Sequence, residues 1–264
     1  MREAGVNYHR EGSGPPLLLV HGIGSRWQVW RPVIGELARE RDVIAIDLPG
    51  FGASPMPAPG TEPGPTTLTR MVAEFARSLE LERPHVAGNS LGGWIALELA
   101  REGLVASATA LSPAGFYTQA EAVFLLVSLK LSRRTARALQ SRAAGVTRTA
   151  LRRRLAFSQL VAHPERIPAA DAAEHLRALG DCPWFEPTLD AIVRERFFAG
   201  RSLGVPVTVG WGQHDRLLLP RQAARAAREV PDAKLVTLTG CGHVPTYDDP
   251  AQVARVILEG SAPS

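Results

Sequence analysis

The chain has 264 residues, 45% of them hydrophobic and 21% charged, with 30 Lys and Arg against 26 Asp and Glu. That balance excludes a disordered chain, a collagen and a coiled coil, and the length suits one large α/β domain carrying an insertion better than two separate cores. The net charge of +4 is local: residues 116–190 hold 11 Lys and Arg against 7 Asp and Glu, and the remainder is neutral.

The run Arg152-Arg153-Arg154 lies on three successive faces of a predicted helix with no interleaved aromatic residue, so no nucleic-acid partner is expected. Two cysteines, Cys182 and Cys241, are too few for a disulfide framework and lack metal-ligand spacing, which predicts a reduced, cytoplasmic protein. Residues 1–20 contain no signal-peptide apolar core, and no segment approaches the roughly 20 apolar residues of a spanning helix. Secretion and stable membrane insertion are therefore not expected.

Short apolar runs alternate with helical patterns, which predicts an α/β fold with a mostly parallel central sheet and helices on both faces. In chain order, an edge strand over residues 6–10 turns back through 11–14 and a strand follows at 17–20. A helix at 29–39 and a strand at 43–46 come next, then a surface loop at 55–65 with five prolines in eleven residues. A helix at 68–81, a strand at 85–87, a helix at 91–101 and a strand at 107–111 complete the first part. From 116 to 190 the pattern is purely helical, with breaks at Gly145, Pro164, Pro168 and 180–183. Strands at 205–209 and 235–238 and helices at 221–229 and 251–258 follow. The expected organisation is a core of residues 1–115 and 191–264 with an all-helical cap, 116–190, inserted over the strand ends where α/β ligands bind.

The sharpest motif is Gly88-Asn89-Ser90-Leu91-Gly92, between a predicted strand and a predicted helix. A tight strand-to-helix turn brings the neighbours of its central residue too close for side chains, which explains glycine two positions before and after. It exposes Ser90 and leaves the Leu91 N–H at a helix start, free to hold an oxyanion. A serine hydroxyl needs a base and an orienting acid. Asp215, after the strand at 205–209, and His243, after the last strand, supply both in the chain order expected of a nucleophile elbow. Asp47, Asp248 and Asp249 are the rival acids. His21 is expected to brace a loop, His214 to be solvated, Cys241 to be a small buried residue, and Trp27, Trp30, Trp94, Phe116, Trp184 and Phe185 to be core.

The chain resembles the α/β-hydrolase family over nearly its whole length. The matching landmarks are His21-Gly22-Ile23-Gly24, Asp47-Leu48-Pro49-Gly50-Phe51-Gly52-Ala53-Ser54, the serine turn, Gly212-Gln213-His214-Asp215 and Gly242-His243. The resemblance implies a serine hydrolase with Ser90 as nucleophile, His243 as general base and then acid, Asp215 as its orienting acid, and the Ile23 N–H as the second oxyanion donor beside that of Leu91. No metal or other cofactor is implied.

The expected reaction is cleavage of a carboxylic ester through an acyl-enzyme, on a small-molecule acyl substrate with an apolar part. Serine rather than a carboxylate at the turn argues against haloalkane dehalogenases and epoxide hydrolases. The alternatives are a carbon–carbon bond hydrolase of aromatic ring-fission products, similar at Gly88-Asn89-Ser90, a cofactor-free perhydrolase, a thioesterase or lactonase, and a non-catalytic ligand receptor. Residues 122–131, beside Arg133, Arg134 and Arg137, read as a lid helix closing over an apolar pocket rather than as a membrane contact, and the positive cap is expected to favour anionic substrates. Oligomeric state is not readable.

Overall fold

Leu17, Leu18, Leu19 and Val20 are all fully buried, and a strand with no solvent-facing side requires helices on both faces of its sheet. In the computed structural model, which describes residues 1–3 and 5–262, they belong to β3 (Pro16–Val20), inside an eight-stranded sheet. The other strands are β1 (Arg2–Glu3), β2 (Val6–Glu11), β4 (Asp42–Ile46), β5 (His85–Asn89), β6 (Ser107–Leu111), β7 (Val207–Gly212) and β8 (Lys234–Leu238). Their spatial order is β1-β2-β4-β3-β5-β6-β7-β8, antiparallel at the β1 edge and parallel from β4 onward.

The two faces of β3 feed two cores. Leu18 and Val20 share one with Val72 and Phe75 of α2 (Pro65–Ser78) and Trp94 of α3 (Leu91–Arg101). Leu17 and Leu19 share the other with Val33 and Leu37 of α1 (Arg31–Leu37) and with Val253 and Ile257 of the C-terminal helix (Pro250–Gly260). Because β3 to β8 run the same way, the residues following them gather along one edge, where ligands of open α/β sheets bind.

Three expectations need correction. The segment after β2 does not turn back onto a hairpin neighbour: β2 pairs with β4, Tyr8 facing Ile46, and β1 takes the outer edge. The intervening turn passes beneath the start of β4, and a Cβ on Gly12, at φ +91°, would sit 2.3 Å from the Arg41 carbonyl oxygen. Next, β7 begins at Val207 rather than 205 and runs on to Gly212, since Pro206 has no N–H to give the ladder and contributes only its carbonyl, to Ala108. Finally, α2 starts at Pro65, a residue suited to a first helical position where no N–H is needed.

Five helices lie between β6 and β7: α4 (Gln119–Leu139), α5 (Ala143–Thr147), α6 (Ala150–Phe157), α7 (Ala169–Gly180) and α8 (Phe185–Arg194). Gly145 lies inside α5 and is not a break. The start of α4 is anchored twice. Thr118 and Glu121 form a reciprocal capping box, and the Glu121 carboxylate also receives Arg221, at 2.7 Å, and Arg225 from the segment after β7. Two further helices flank β8, α9 (Ala223–Glu229) before it and α10, the C-terminal helix already described, after it.

Candidate functional site

β5 ends at Asn89 and α3 begins at Leu91, so Ser90 alone makes the turn, at φ +59° and ψ −115°. Such a backbone costs a side-chain-bearing residue about 1–3 kcal/mol and persists only when its surroundings hold it. The Ser90 N–H donates to the Leu111 carbonyl at 3.0 Å, and the Ser90 carbonyl accepts from the N–H groups of Trp94 and Ala114, each at 3.0 Å. The flanking glycines are sterically required. A Cβ on Gly88 would lie 2.0 Å from the Gly92 carbonyl oxygen, and one on Gly92 would lie 2.0 Å from that of Val20.

Asp215 and His243, 28 positions apart in the chain, meet at the same edge: His243 Nδ1 lies 2.8 Å from Asp215 Oδ2. The other carboxylate oxygen accepts the N–H groups of Leu217 at 2.9 Å and Leu218 at 2.8 Å, which orients it. With Nδ1 facing a carboxylate, Nδ1 carries the proton and Nε2 is the nitrogen available as a base. A Cβ on Gly212 would come within 2.0 Å of the Gly242 carbonyl oxygen, so the end of β7 and the His243 loop touch backbone to backbone. Asn89 closes the arrangement, donating to the carbonyls of Leu111 at 3.0 Å and His243 at 2.9 Å. Sequence reasoning saw Asn89 only as part of a motif; its tie to His243 spans 154 positions and has no local signal.

His21 acts through the backbone. Its Nε2 accepts the Leu48 N–H at 2.9 Å, so its proton is on Nδ1, which donates to the Gly22 carbonyl at 2.7 Å; Ser25 N–H donates to the same oxygen at 3.2 Å. Burial lowers the pKa of this ring and favours the neutral form. In a trans peptide N–H and C=O point oppositely, so pinning the Gly22 carbonyl also fixes the direction of the Ile23 N–H. Gly22 lies against the serine, where an added Cβ would be 3.1 Å from Ser90 Cβ. The Leu91 N–H, first in α3, has no helical carbonyl one turn earlier.

The rival acids are engaged elsewhere. Asp47 accepts from the N–H groups of Trp27 and Ala53 and from Asn7 Nδ2 at 2.7–2.8 Å. Asp248 takes the N–H groups of Ala162, His163 and Gly242 at 3.0, 2.7 and 2.8 Å, and Asp249 caps α10 through the Gln252 N–H. Cys182 and Cys241 are buried, and burial pushes both thiols up to about 12. His214 is exposed, and the six aromatic residues expected in the core do not line the cavity described next.

That cavity, of about 890 Å³, has Ser90, His243 and Ile23 on its wall and is lined mainly by apolar side chains such as Leu129, Phe157 and Leu176. Asp215 stands behind His243 with its side chain fully buried. A buried polar cluster forms one corner of the lining: His175 Nε2 is 2.9 Å from the Tyr247 hydroxyl, which donates to Asp171 at 3.2 Å. Burial lowers the His175 pKa to about 4. The lid expectation for residues 122–131 holds for part of the run, since Leu129 and Leu131 line the cavity, but not for all of it. Its apolar residues occupy more than one face of the helix: Ala122, Leu125 and Leu129 turn inward, whereas Val123, Phe124, Val127 and Leu131 face solvent. Among the described residues, no cluster of three His, Cys, Asp or Glu is placed to hold a metal ion, and no helix is long and apolar enough to cross a membrane.

The sequence pattern of the alpha/beta hydrolase family matches residues 17–256. The chain belongs to this family. A relative of Mycobacterium tuberculosis, the uncharacterized protein Rv2715, is 30% identical over 270 residues, covering 93% of this chain and 75% of its own. Over a shorter stretch of 98 residues, 36% of this chain and 34% of the relative, the hydrolase is 42% identical to 2-hydroxymuconate semialdehyde hydrolase of a Pseudomonas species. Among solved structures, a bacterial membrane phospholipase A superposes with a TM-score of 0.75 at 25% identity, covering 97% of this hydrolase and 82% of that chain. The hydrolase's site offers a hydroxyl on a strained turn, an imidazole oriented by a buried carboxylate, and backbone N–H groups beside an apolar cavity. That arrangement is chemically suited to nucleophilic attack on a carbonyl.

Proposed function

We propose that this hydrolase cleaves a carboxylic ester with an apolar acyl part, through an acyl-enzyme on Ser90. The observation that carries the reading is the 2.8 Å contact between His243 and buried Asp215 at the wall of an apolar cavity that also holds Ser90. Ser90 Oγ attacks the ester carbonyl as His243 Nε2 takes its proton, and Asp215 stabilises the imidazolium. The N–H groups of Ile23 and Leu91 hold the oxyanion, a contribution of about 3–4 kcal/mol where one such donor has been removed from a comparable site. His243 then protonates the departing alcohol. Water, deprotonated by His243, attacks the acyl carbon and releases the acid with Ser90 restored. The cavity is within the range of about 300–1,000 Å³ that suits a ligand bound largely by apolar contact. The likeness to a phospholipase A supports ester chemistry.

The test is a ladder of p-nitrophenyl esters from acetate to palmitate, run on the wild type and Ser90→Ala. Turnover that peaks at one chain length and vanishes in the variant is the expected result. Ser90→Ala turnover above a few per cent of wild type would exclude Ser90 as the nucleophile. A second reading, carbon–carbon hydrolysis of a dienone ring-fission product, is favoured by the 98-residue match to 2-hydroxymuconate semialdehyde hydrolase. Inactivity along the whole ester ladder together with turnover of such a dienone would select it.

A further inference from the structure

Residues 122–164 carry nine Lys or Arg and no Asp or Glu. Three of the nine are neutralised: Lys130 by Asp190, Arg133 by Glu186 and Arg154 by Glu165. Among the described residues, Arg134, Arg137, Arg142, Arg148, Arg152 and Arg153 have no carboxylate in ion-pair contact. Arg152 and Arg153 hydrogen-bond only backbone carbonyls, which leaves their charge in place.

The same segment exposes apolar side chains in an ordered way. Val123, Phe124, Val127 and Leu131 fall within one arc of α4, at i, i+1, i+4 and i+8, and Leu151 and Leu155 stand one turn apart on α6. All six are 45–77% exposed. Gln159, just beyond α6, hydrogen-bonds Ser128 and Ser132 of α4 and holds the two helices side by side. Leu131 and Leu155 are exposed and also line the cavity, so they mark its mouth, and Arg142 and Arg152 line it as well. Single exposed apolar residues carry no meaning. Six on these two neighbouring helices, two of them at the opening, with unpaired arginines among them, make an amphipathic surface that matches an anionic interface with an acyl interior.

We propose that this face of α4 and α6 docks on an anionic lipid surface, seating the cavity mouth against the headgroup layer so that an acyl chain passes directly from lipid to cavity. Docking stands on the surface alone; the use made of the chain inside rests on the ester-hydrolase reading. A second copy of the chain is a poorer occupant, because a two-fold contact through this face would set unpaired arginines against one another.

The test is flotation of the full chain carrying Ser90→Ala, so that no lipid is consumed, with vesicles of phosphatidylcholine or of equimolar phosphatidylcholine and phosphatidylglycerol. Each arginine near an anionic surface contributes about fivefold to binding, so binding at least about tenfold stronger to the anionic vesicles, weakened by salt, is expected. Val127→Asp with Leu151→Asp, and separately Arg134→Glu with Arg148→Glu, each lower that binding about tenfold or more, while an unchanged Tm shows that the fold is intact. The proposal is overturned by no binding to either vesicle, by equal binding to both, or by binding that both variant pairs retain. It is also overturned if the protein is a dimer that these substitutions dissociate. Because no outcome depends on turnover, failure here is separable from failure of the ester-hydrolase reading.

Discussion

The side-chain amide of Asn89 bridges two carbonyls, that of Leu111 at 3.0 Å and that of His243 at 2.9 Å, and so couples the serine turn to the histidine loop. Removing it takes the donor from the buried His243 carbonyl, at about 1–3 kcal/mol, while the Leu111 carbonyl keeps the Ser90 N–H. Asn89→Ala is expected to lower kcat about tenfold with KM changed less than about twofold, because the substrate wall stays while His243 loses its tether. Asn89→Asp sets a carboxylate against two carbonyl oxygens and should be worse in both rate and Tm. Steady-state kinetics with a soluble ester check this; a kcat equal to wild type in Asn89→Ala would remove the positioning role.

Strain at Ser90 predicts a divergence between two inactive variants. Glycine adopts φ +59° freely, so Ser90→Gly recovers about 1–3 kcal/mol of backbone strain and gives back about 0.5–1 kcal/mol through the added freedom of its unfolded chain. The net gain, about 1 kcal/mol, should raise the Tm by about 2–4 °C. Ser90→Ala keeps the strain and should melt close to wild type. Calorimetry on both proteins decides, and equal melting temperatures would mean that the turn stores no strain.

Two aspartates at the same edge should separate rate from stability. Asp215→Asn presents an amide to His243 Nδ1 and favours the wrong imidazole tautomer, so kcat should fall by about 10⁴. Asp248 receives three backbone N–H groups and joins residues 162–163 to the His243 loop. Bonds to a charged acceptor contribute about 1.5–3 kcal/mol each, and Asp248→Asn should lower the Tm by at least about 5 °C with a much smaller loss of rate. A variant pair with these effects exchanged would reverse the assignment of the two carboxylates.

Acid stability should depend on His175. Burial lowers its pKa from 6.5 to about 4, so between those values the unfolded chain binds the proton and the native protein does not. Its contribution to stability is complete above about pH 6.5, is lost progressively as the pH falls to about 4, and changes no further below that. His21, lowered for the same reason, acts in the same direction. His175→Gln keeps a side-chain donor for Tyr247 without the titration and should flatten the dependence of Tm on pH across this window. An identical slope in the variant would mean that His175 does not carry the effect.

The parts of the site that were legible in the sequence are those governed by local sterics. Gly88 and Gly92 sit where the backbone admits no side chain, Ser90 makes the tight turn between them, and Asp215 and His243 each follow a strand that ends at the same sheet edge. The tether from Asn89, the polar cluster of His175, Tyr247 and Asp171, and the engagement of Asp248 were not legible. Apart from the local Gly242 bond of Asp248, each joins positions at least 70 residues apart: the Asn89 tether joins the end of β5 to the loop after β8, and the other two depend on how the helices between β6 and β7 fold back over the sheet.

The same division explains residues 122–131. Composition establishes that the run is apolar and basic at its end, and periodicity establishes that it is a helix. Which residues meet the core is decided by the packing of α4 against α7 and α8, since a side chain's burial depends on what lies opposite it in space. From its sequence alone the chain determines a parallel sheet, a strained serine turn and the acid and base that can serve it, because apolar period and backbone sterics act over a few residues. The apolar cavity, its polar corner and the basic apolar rim at its mouth exist only once distant helices are brought together, and tertiary packing decides them.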